Sequence, residues 1–276
     1  MTSNILVLGG KGKTGRKVVE RLTKRQQHVR VGSRSEAIPF DWEKRATWAD
    51  ALEGMDKVYI TFQPDLAVPG ALKAIEELVK VAQQKNVKKL VLLSGKGERE
   101  AELCEQVVVH SGIDYTIVRA SWFNQNFSES FFLDPILAGH VALPMAQAKI
   151  PFVDTDDIAD VVVEVLMNDG YDGKTYELTG ARFLTFEEVV NDIATATGRE
   201  IAFTPISLPA YTKMMEEVGV PSDYVWLINY LFSEVLGNKE NEVIAHDIEN
   251  ILGRQPKDFS EYVQETAATG IWNPPA

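Results

Sequence analysis

The first half of the chain alternates short apolar runs with stretches whose apolar residues recur every three or four positions. Asn4–Leu8 is an apolar run that ends in glycines, and the next segment puts Val18, Val19 and Leu22 on one helical face. That order predicts a strand, a tight turn and a helix. Residues 29–32, 58–62, 90–94 and 115–119 read as further strands. Helical stretches lie between them, notably 70–84, with Leu72, Ile75, Val79 and Ala82 to one side, and 99–111. Strands alternating with helices in this way predict an α/β fold with a doubly wound parallel sheet covered on both faces. Right-handed crossovers would bring the strand C-termini to one edge, where ligands bind.

After Arg119 the rhythm breaks. Residues 121–132 are rich in aromatic and amide side chains, which suits a pocket-lining segment better than a crossover. Residues 155–166 read as a helix with Thr155 as its cap and Ile158, Val161, Val162, Val165 and Leu166 on one face. Another helix is expected from Thr185, where Glu188 completes a capping box. From 208 to 236 the sequence is helical in pattern, with Met214, Met215, Trp226, Leu227, Tyr230 and Leu231. The expected division is a sheet domain over 1–150, with sheet contributions from 151–180, and a smaller, mostly helical C-terminal substrate lobe over 181–276.

Composition narrows the choice of partner. The 276 residues are 45% hydrophobic and 25% charged, an ordinary globular balance. Lys and Arg number 28 against 40 Asp and Glu, a net charge of −12, which argues against nucleic acid and against an anionic membrane surface. No stretch approaches the roughly 20 apolar residues of a membrane span. A single cysteine, Cys104, and an N-terminal apolar run too short for a signal sequence point to the cytoplasm. His28, His110, His140 and His246 have no metal-ligand spacing, so no metal is expected.

The strongest motif is Gly9-Gly10-Lys11-Gly12-Lys13-Thr14-Gly15, which satisfies GxGxxG and GxxGxxG. Between a strand and a helix, such glycines let the backbone turn sharply, approach a pyrophosphate and present helix N–H groups to it. A dinucleotide-binding, Rossmann-like domain is expected. Val7 stands where a P-loop needs glycine, which disfavours a nucleotide triphosphatase despite Gly12-Lys13-Thr14. Lys13 is either a charge beside the cofactor or a solvated loop lysine. The second strand ends Gly32-Ser33-Arg34-Ser35-Glu36. Arg34 offers a guanidinium and Ser33 a hydroxyl for a 2′-phosphate, so NADP(H) is favoured over NAD(H). Glu36 is the counter-argument, because an acidic residue about 20 positions past the glycines can hold the NAD ribose.

With these residues, Phe40-Asp41-Trp42, Leu92-Leu93-Ser94-Gly95, Trp122-Phe123-Asn124-Gln125-Asn126-Phe127, Pro151-Phe152-Val153-Asp154-Thr155-Asp156-Asp157-Ile158-Ala159 and Leu252-Gly253-Arg254, the chain resembles the NmrA-like family of atypical short-chain dehydrogenase/reductase-related proteins. It is most similar to the branch containing ergot-alkaloid agroclavine and festuclavine dehydrogenases. The resemblance implies that Gly9, Gly12 and Gly15 hold the pyrophosphate, and Ser33 and Arg34 the adenosine phosphate; Gly10, Lys11, Lys13 and Thr14 complete the expected cofactor-binding loop. It places Asp41 and Trp42 by the adenine, Phe62, Gln63 and Pro64 along the cofactor, and Ser94 and Gly95 near the nicotinamide. Asp41 is alternatively a turn residue, and Asp157 reads as structural, an acidic residue in a first helical turn.

Typical short-chain dehydrogenases use a Tyr-x-x-x-Lys pair to move a proton at neutral pH. None of the eight tyrosines here has a lysine four residues on, and Cys104 reads as a buried helix residue rather than a nucleophile. Two readings follow. One is an NADPH-dependent oxidoreductase acting on a small electrophile that needs little acid help, such as an iminium ion, a quinone or a conjugated compound. Its pocket wall would be Trp122, Phe123, Asn126, Phe127, Tyr211 and Trp226, which are otherwise ordinary core residues. The other is a non-catalytic NADP(H) sensor with a protein partner. A sugar-nucleotide epimerase would need the same missing tyrosine.

Overall fold

The computed structural model describes residues 3–274, so Met1 and Thr2 of the N-terminal segment lie outside the description. In chain order it runs β1 (Asn4–Leu8), α1 (Gly15–Lys24), β2 (His28–Gly32), α2 (Trp48–Leu52), β3 (Lys57–Ile60), α3 (Ala71–Gln84), β4 (Lys89–Gly95), α4 (Arg99–Val109) and β5 (Asp114–Ala120). It continues with α5 (Leu133–Leu137), β6 (His140–Leu143), α6 (Thr155–Met167), β7 (Lys174–Leu178), α7 (Phe186–Thr197), β8 (Ala202–Pro205), α8 (Leu208–Glu217), α9 (Ser222–Tyr230), α10 (Asp247–Leu252) and α11 (Phe259–Ala268). The chain forms two compact units. The first holds the chain up to Ala120 with Thr155–Leu178 and Asp247–Arg254; the second holds Ser121–Asp154, Thr179–His246 and the chain from Gln255.

In the first unit six strands pair in parallel in the order β2-β1-β3-β4-β5-β7. The apolar runs are short because a strand of a parallel sheet is buried on both faces and needs no alternation. Leu6, Leu8, Val58, Ile60, Leu90 and Leu92 join Trp48, Ile75, Leu78, Ala82 and Cys104 in one core cluster. In α3, Ile75, Leu78, Val79 and Ala82 are buried while Leu72 is exposed, because the packed stripe begins one position earlier, at Ala71.

Ion pairs hold α1 and α10 against α6. Lys17 and Arg21 reach Asp156 at 2.8 and 2.7 Å, and Arg254, just past α10, reaches Asp157 at 2.6 Å and Asp160 at 2.6 Å. Asp157 is 1% exposed, so it is a structural acid. Asp157→Asn removes the charge facing Arg254. A fully buried pair broken this way costs about 3–5 kcal/mol, and the partly exposed guanidinium reduces that to about 1–3. Thermal denaturation should show the loss, with cofactor affinity unchanged.

The second unit is built on aromatic packing. Phe127, Phe132, Phe152, Phe186, Phe232 and Phe259 are all buried there. Phe127 stacks on Phe132 at 5.0 Å and meets Phe152 edge-on at 5.4 Å. Strands β6 and β8 pair in parallel beside it. The expected Thr185–Glu188 capping box is present at the start of α7. The expected helix over 208–236 is broken, because Gly219 has φ +79° and Pro221 caps a new helix.

Candidate functional site

The sheet order reverses at β1, which has β2 on one side and β3 on the other. Ligands of open α/β sheets bind at such a reversal, beyond the strand C-termini. The glycine loop follows β1 at that place. Gly9 has φ +63°, and a side chain there would run into the Thr61 hydroxyl. A Cβ on Gly15 would strike the Gly9 carbonyl, and one on Gly12 would stand 3.2 Å from the same oxygen. Gly12 N–H donates to the Gly9 carbonyl at 2.8 Å, closing the turn. Thr14, the cap of α1, makes no side-chain hydrogen bond to the helix amides. Its hydroxyl instead accepts from Tyr59 of β3 at 3.1 Å. A tight turn that needs glycine at positions 9 and 15, leading into a helix whose cap residue makes no side-chain bond to its amides, fits a pyrophosphate.

At the end of β2, Lys11 reaches across to Glu36 at 2.6 Å and to the Ser35 hydroxyl at 2.7 Å. Ser33 and Ser35 share a hydroxyl contact at 3.2 Å. Glu36 is therefore engaged by the glycine-loop lysine. Arg34 is exposed and makes no ion pair among the described residues. Its guanidinium is thus exposed two residues past the end of β2.

Asp41 lies in a turn. Its carboxylate accepts from Glu43 N–H at 3.1 Å and its carbonyl from the Trp48 indole at 2.7 Å. Trp42 donates to the Thr61 carbonyl at 3.1 Å and packs on Phe62 at 4.7 Å, and Thr61 donates to the Leu8 carbonyl at 3.1 Å. The structure thus brings Gly9, Trp42 and Phe62 together around Thr61. Gln63 lies close to Gly12, its amide nitrogen 3.6 Å from where a Gly12 Cβ would stand. A surface hollow of about 420 Å³ lies nearby, lined by Ala37, Ile38, Pro39, Ala46, Thr47 and Asp50. None of the expected cofactor residues lines it.

At the C-terminal end of β4 the Ser94 hydroxyl donates to Glu105 of α4 at 2.6 Å, and Glu105 takes a two-pronged grip from Arg119 of β5 at 2.6–3.1 Å. Ser94 is therefore tied into the core. Gly95 is covered by Glu98, whose carboxyl occupies the space a Gly95 side chain would take. Glu98 in turn is hydrogen-bonded to Asp65, from the loop after β3. Burial, reinforced by the negative charges of Asp65, Glu100 and Glu105, holds the Glu98 carboxyl well above the usual range. Asp65 is also raised by burial, while the Glu98 contact opposes that rise, so Glu98 carries the proton and Asp65 accepts it.

Tyr59, Tyr211 and Tyr262 are not primed to give a proton. Burial pushes Tyr211 up to about 12 and raises Tyr59 and Tyr262 further. The Cys104 thiol, buried and facing acids, is likewise pushed up to about 12, which removes thiolate chemistry at neutral pH.

The aromatic candidates fall in the second unit in three settings. Phe127 is wholly buried. Trp122 is partly buried against Phe132, Phe186 and Phe232, and Tyr211 meets Phe232 at 5.7 Å. Phe123 and Asn126 are half-buried beside them in sequence, Phe123 bridging to Val153. Trp226 is 42% exposed and stacks on Tyr230 at 5.4 Å. Among the described residues no acidic, His or Cys cluster forms a metal site, and no helix is long and apolar enough to cross a membrane.

A model of the NAD(P)H-binding family matches residues 9–169, more than half of the chain, and the chain belongs to that family. Along nearly its whole length it is 29% identical to prestalk A differentiation protein A of Dictyostelium discoideum, over 95% of this chain and 92% of that one. It is 28% identical to an agroclavine dehydrogenase of Claviceps fusiformis, over 97% and 98%. In structure it matches an NADPH-dependent quinone oxidoreductase of Escherichia coli at a TM-score of 0.77, with 20% identity over 95% and 98% of the two chains.

Proposed function

We propose that the protein is an NADPH-dependent oxidoreductase that delivers hydride to a small electrophile, an iminium ion, a quinone or a conjugated compound, without a Tyr-x-x-x-Lys pair. The observation that carries this is the glycine turn, where a Cβ on Gly9 or Gly15 would overlap its neighbours and one on Gly12 would crowd the Gly9 carbonyl, the close-packed backbone that a pyrophosphate loop needs. The free Arg34 guanidinium favours the 2′-phosphate of NADP(H). When bound, the reduced nicotinamide supplies the hydride. The protein's part is to hold the reactants in register and keep water away, which suits acceptors that need little help from an acid. The likeness to a protein named agroclavine dehydrogenase supports a small-molecule acceptor.

A second reading has its own support. The eight tyrosines lack the partner lysine, and a relative of similar identity carries a developmental rather than an enzymatic name. This reading makes the chain a sensor that reports NADPH/NADP⁺ status to a protein partner. A panel of quinones, azo dyes, iminium salts and enones separates the two by NADPH absorbance. Oxidation above background with at least one class is expected. Micromolar NADPH binding with no oxidation by any of them would favour the sensor.

A further inference from the structure

We propose that Glu98 is the proton source for acceptors whose oxygen must be protonated as the hydride arrives, with Asp65 holding that proton in place. The inference rests on the oxidoreductase reading above. Three observations place it. Glu98 and Asp65 come from the loops after β4 and β3, neighbouring strands of one parallel sheet, so both stand at the strand C-termini. The Glu98 carboxyl lies directly over Gly95, the residue expected near the nicotinamide. Glu98 is only 7% exposed, and no donor reaches its Oε2.

A carboxylate in such a place has no donor to balance its charge, whereas a carboxylic acid can give its O–H to Asp65. Asp65 is fixed for that role, since its Oδ1 accepts from Ala67 N–H at 2.8 Å. The charged groups facing Glu98 are Asp65 from the β3 loop and Glu100 and Glu105 from α4, all acidic. Arg119 of β5 is spent on Glu105. The surroundings therefore keep the proton on Glu98 at neutral pH.

The proton count sorts the acceptors. An iminium ion or a cationic triarylmethane dye gains a hydride at carbon; its C=N or extended π bond takes the electron pair back, and the product is neutral with no proton consumed. A quinone gains a hydride and is left with a negative oxygen. Breaking the Glu98 O–H bond delivers the proton to that oxygen and gives the hydroquinone. Glu98 is left as a carboxylate that solvent water reprotonates through the half-buried Asp65. The two electrons that reduce the quinone are those that a bound reduced nicotinamide would supply as hydride.

Glu98→Gln keeps the shape and a donor for Asp65 but has no proton to give. Single-turnover rates are measured with 1,4-naphthoquinone and with a cationic triarylmethane dye. The variant's quinone-to-dye rate ratio is expected to fall by about 100-fold, the low end of general-acid effects. A ratio within about threefold of wild type overturns the proposal. A wild-type protein that oxidises NADPH with neither these compounds nor any other class of the panel refutes the oxidoreductase reading itself, a different result.

Two measurements independent of turnover accompany the rates. The infrared spectrum of the wild type at neutral pH should contain a protonated carboxyl band that Glu98→Gln lacks; an unchanged spectrum overturns the proposal. Because the folded protein holds this proton above the pH at which the unfolded chain loses it, the native state loses stability as pH rises from the ordinary glutamate range. The melting temperature of Glu98→Gln should therefore gain on wild type as pH rises; parallel curves count against a proton on Glu98.

Discussion

Arg34→Ala lowers NADPH affinity by roughly 10- to 100-fold and changes NADH affinity by less than about threefold, as read by calorimetric titration of each cofactor. Arg34 is exposed and unpaired, whereas the neighbouring Lys11 is already engaged by Glu36 at 2.6 Å. Removing this exposed cation strips the 2′-phosphate of a charge-assisted contact worth about 1.5–3 kcal/mol. NADH has no group there to lose. The Lys11–Glu36 pair sharpens the expectation. A ribose-binding glutamate would have to release its lysine first, so Glu36→Gln should leave the NADPH preference in place. Equal losses for both cofactors in Arg34→Ala would mean that the guanidinium holds something other than the 2′-phosphate.

Gly15→Ala is expected to weaken both cofactors by about 100-fold or more and to lower the melting temperature. The added methyl meets the Gly9 carbonyl, which is backbone and cannot swing aside as a side chain would. Relieving the overlap shifts the whole turn, a strain of about 1–3 kcal/mol, with roughly 2–4 °C lost per kcal/mol in a chain of this size. A shifted turn also misplaces the amides aimed at the pyrophosphate, each worth about 1.5–3 kcal/mol. Gly12→Ala is the internal control. Its methyl would stand 3.2 Å from the same carbonyl, so a shift of a few tenths of an ångström suffices and the loss should be much smaller. Equal effects from the two substitutions would count against the cradle.

The strands and the first helices were legible because a parallel sheet writes itself as apolar runs, and glycines mark where each run must stop. Asn4–Leu8 lies where the pattern puts it, and β4 and β5 extend the expected runs by one residue at each end. The glycine loop was legible for the same local reason, since its turn depends on the residues within it. The acidic cluster after β3 and β4 was not. Ser94 meets Glu105 and Arg119, and Glu98 meets Asp65, only because β3, β4 and β5 are neighbours in the sheet. No spacing in a linear sequence signals that. Glu98 in particular looks like any polar residue opening a helix, and it does supply the cap position of α4. The one local hint was Gly95, which must lack a side chain because that carboxyl folds back over it. In the second unit, aromatic density was visible in residues 121–132, but periodicity alone could not separate the wholly buried Phe127 from the partly exposed Trp122.

The most direct test of hydride delivery uses NADPH deuterated at C4, with the product of a single turnover on an iminium salt identified by mass spectrometry. The account predicts that one of the two C4 positions passes its deuterium to the carbon of the reduced product. NADPH that binds yet is never oxidised, or is oxidised while the product carries no label, would contradict it.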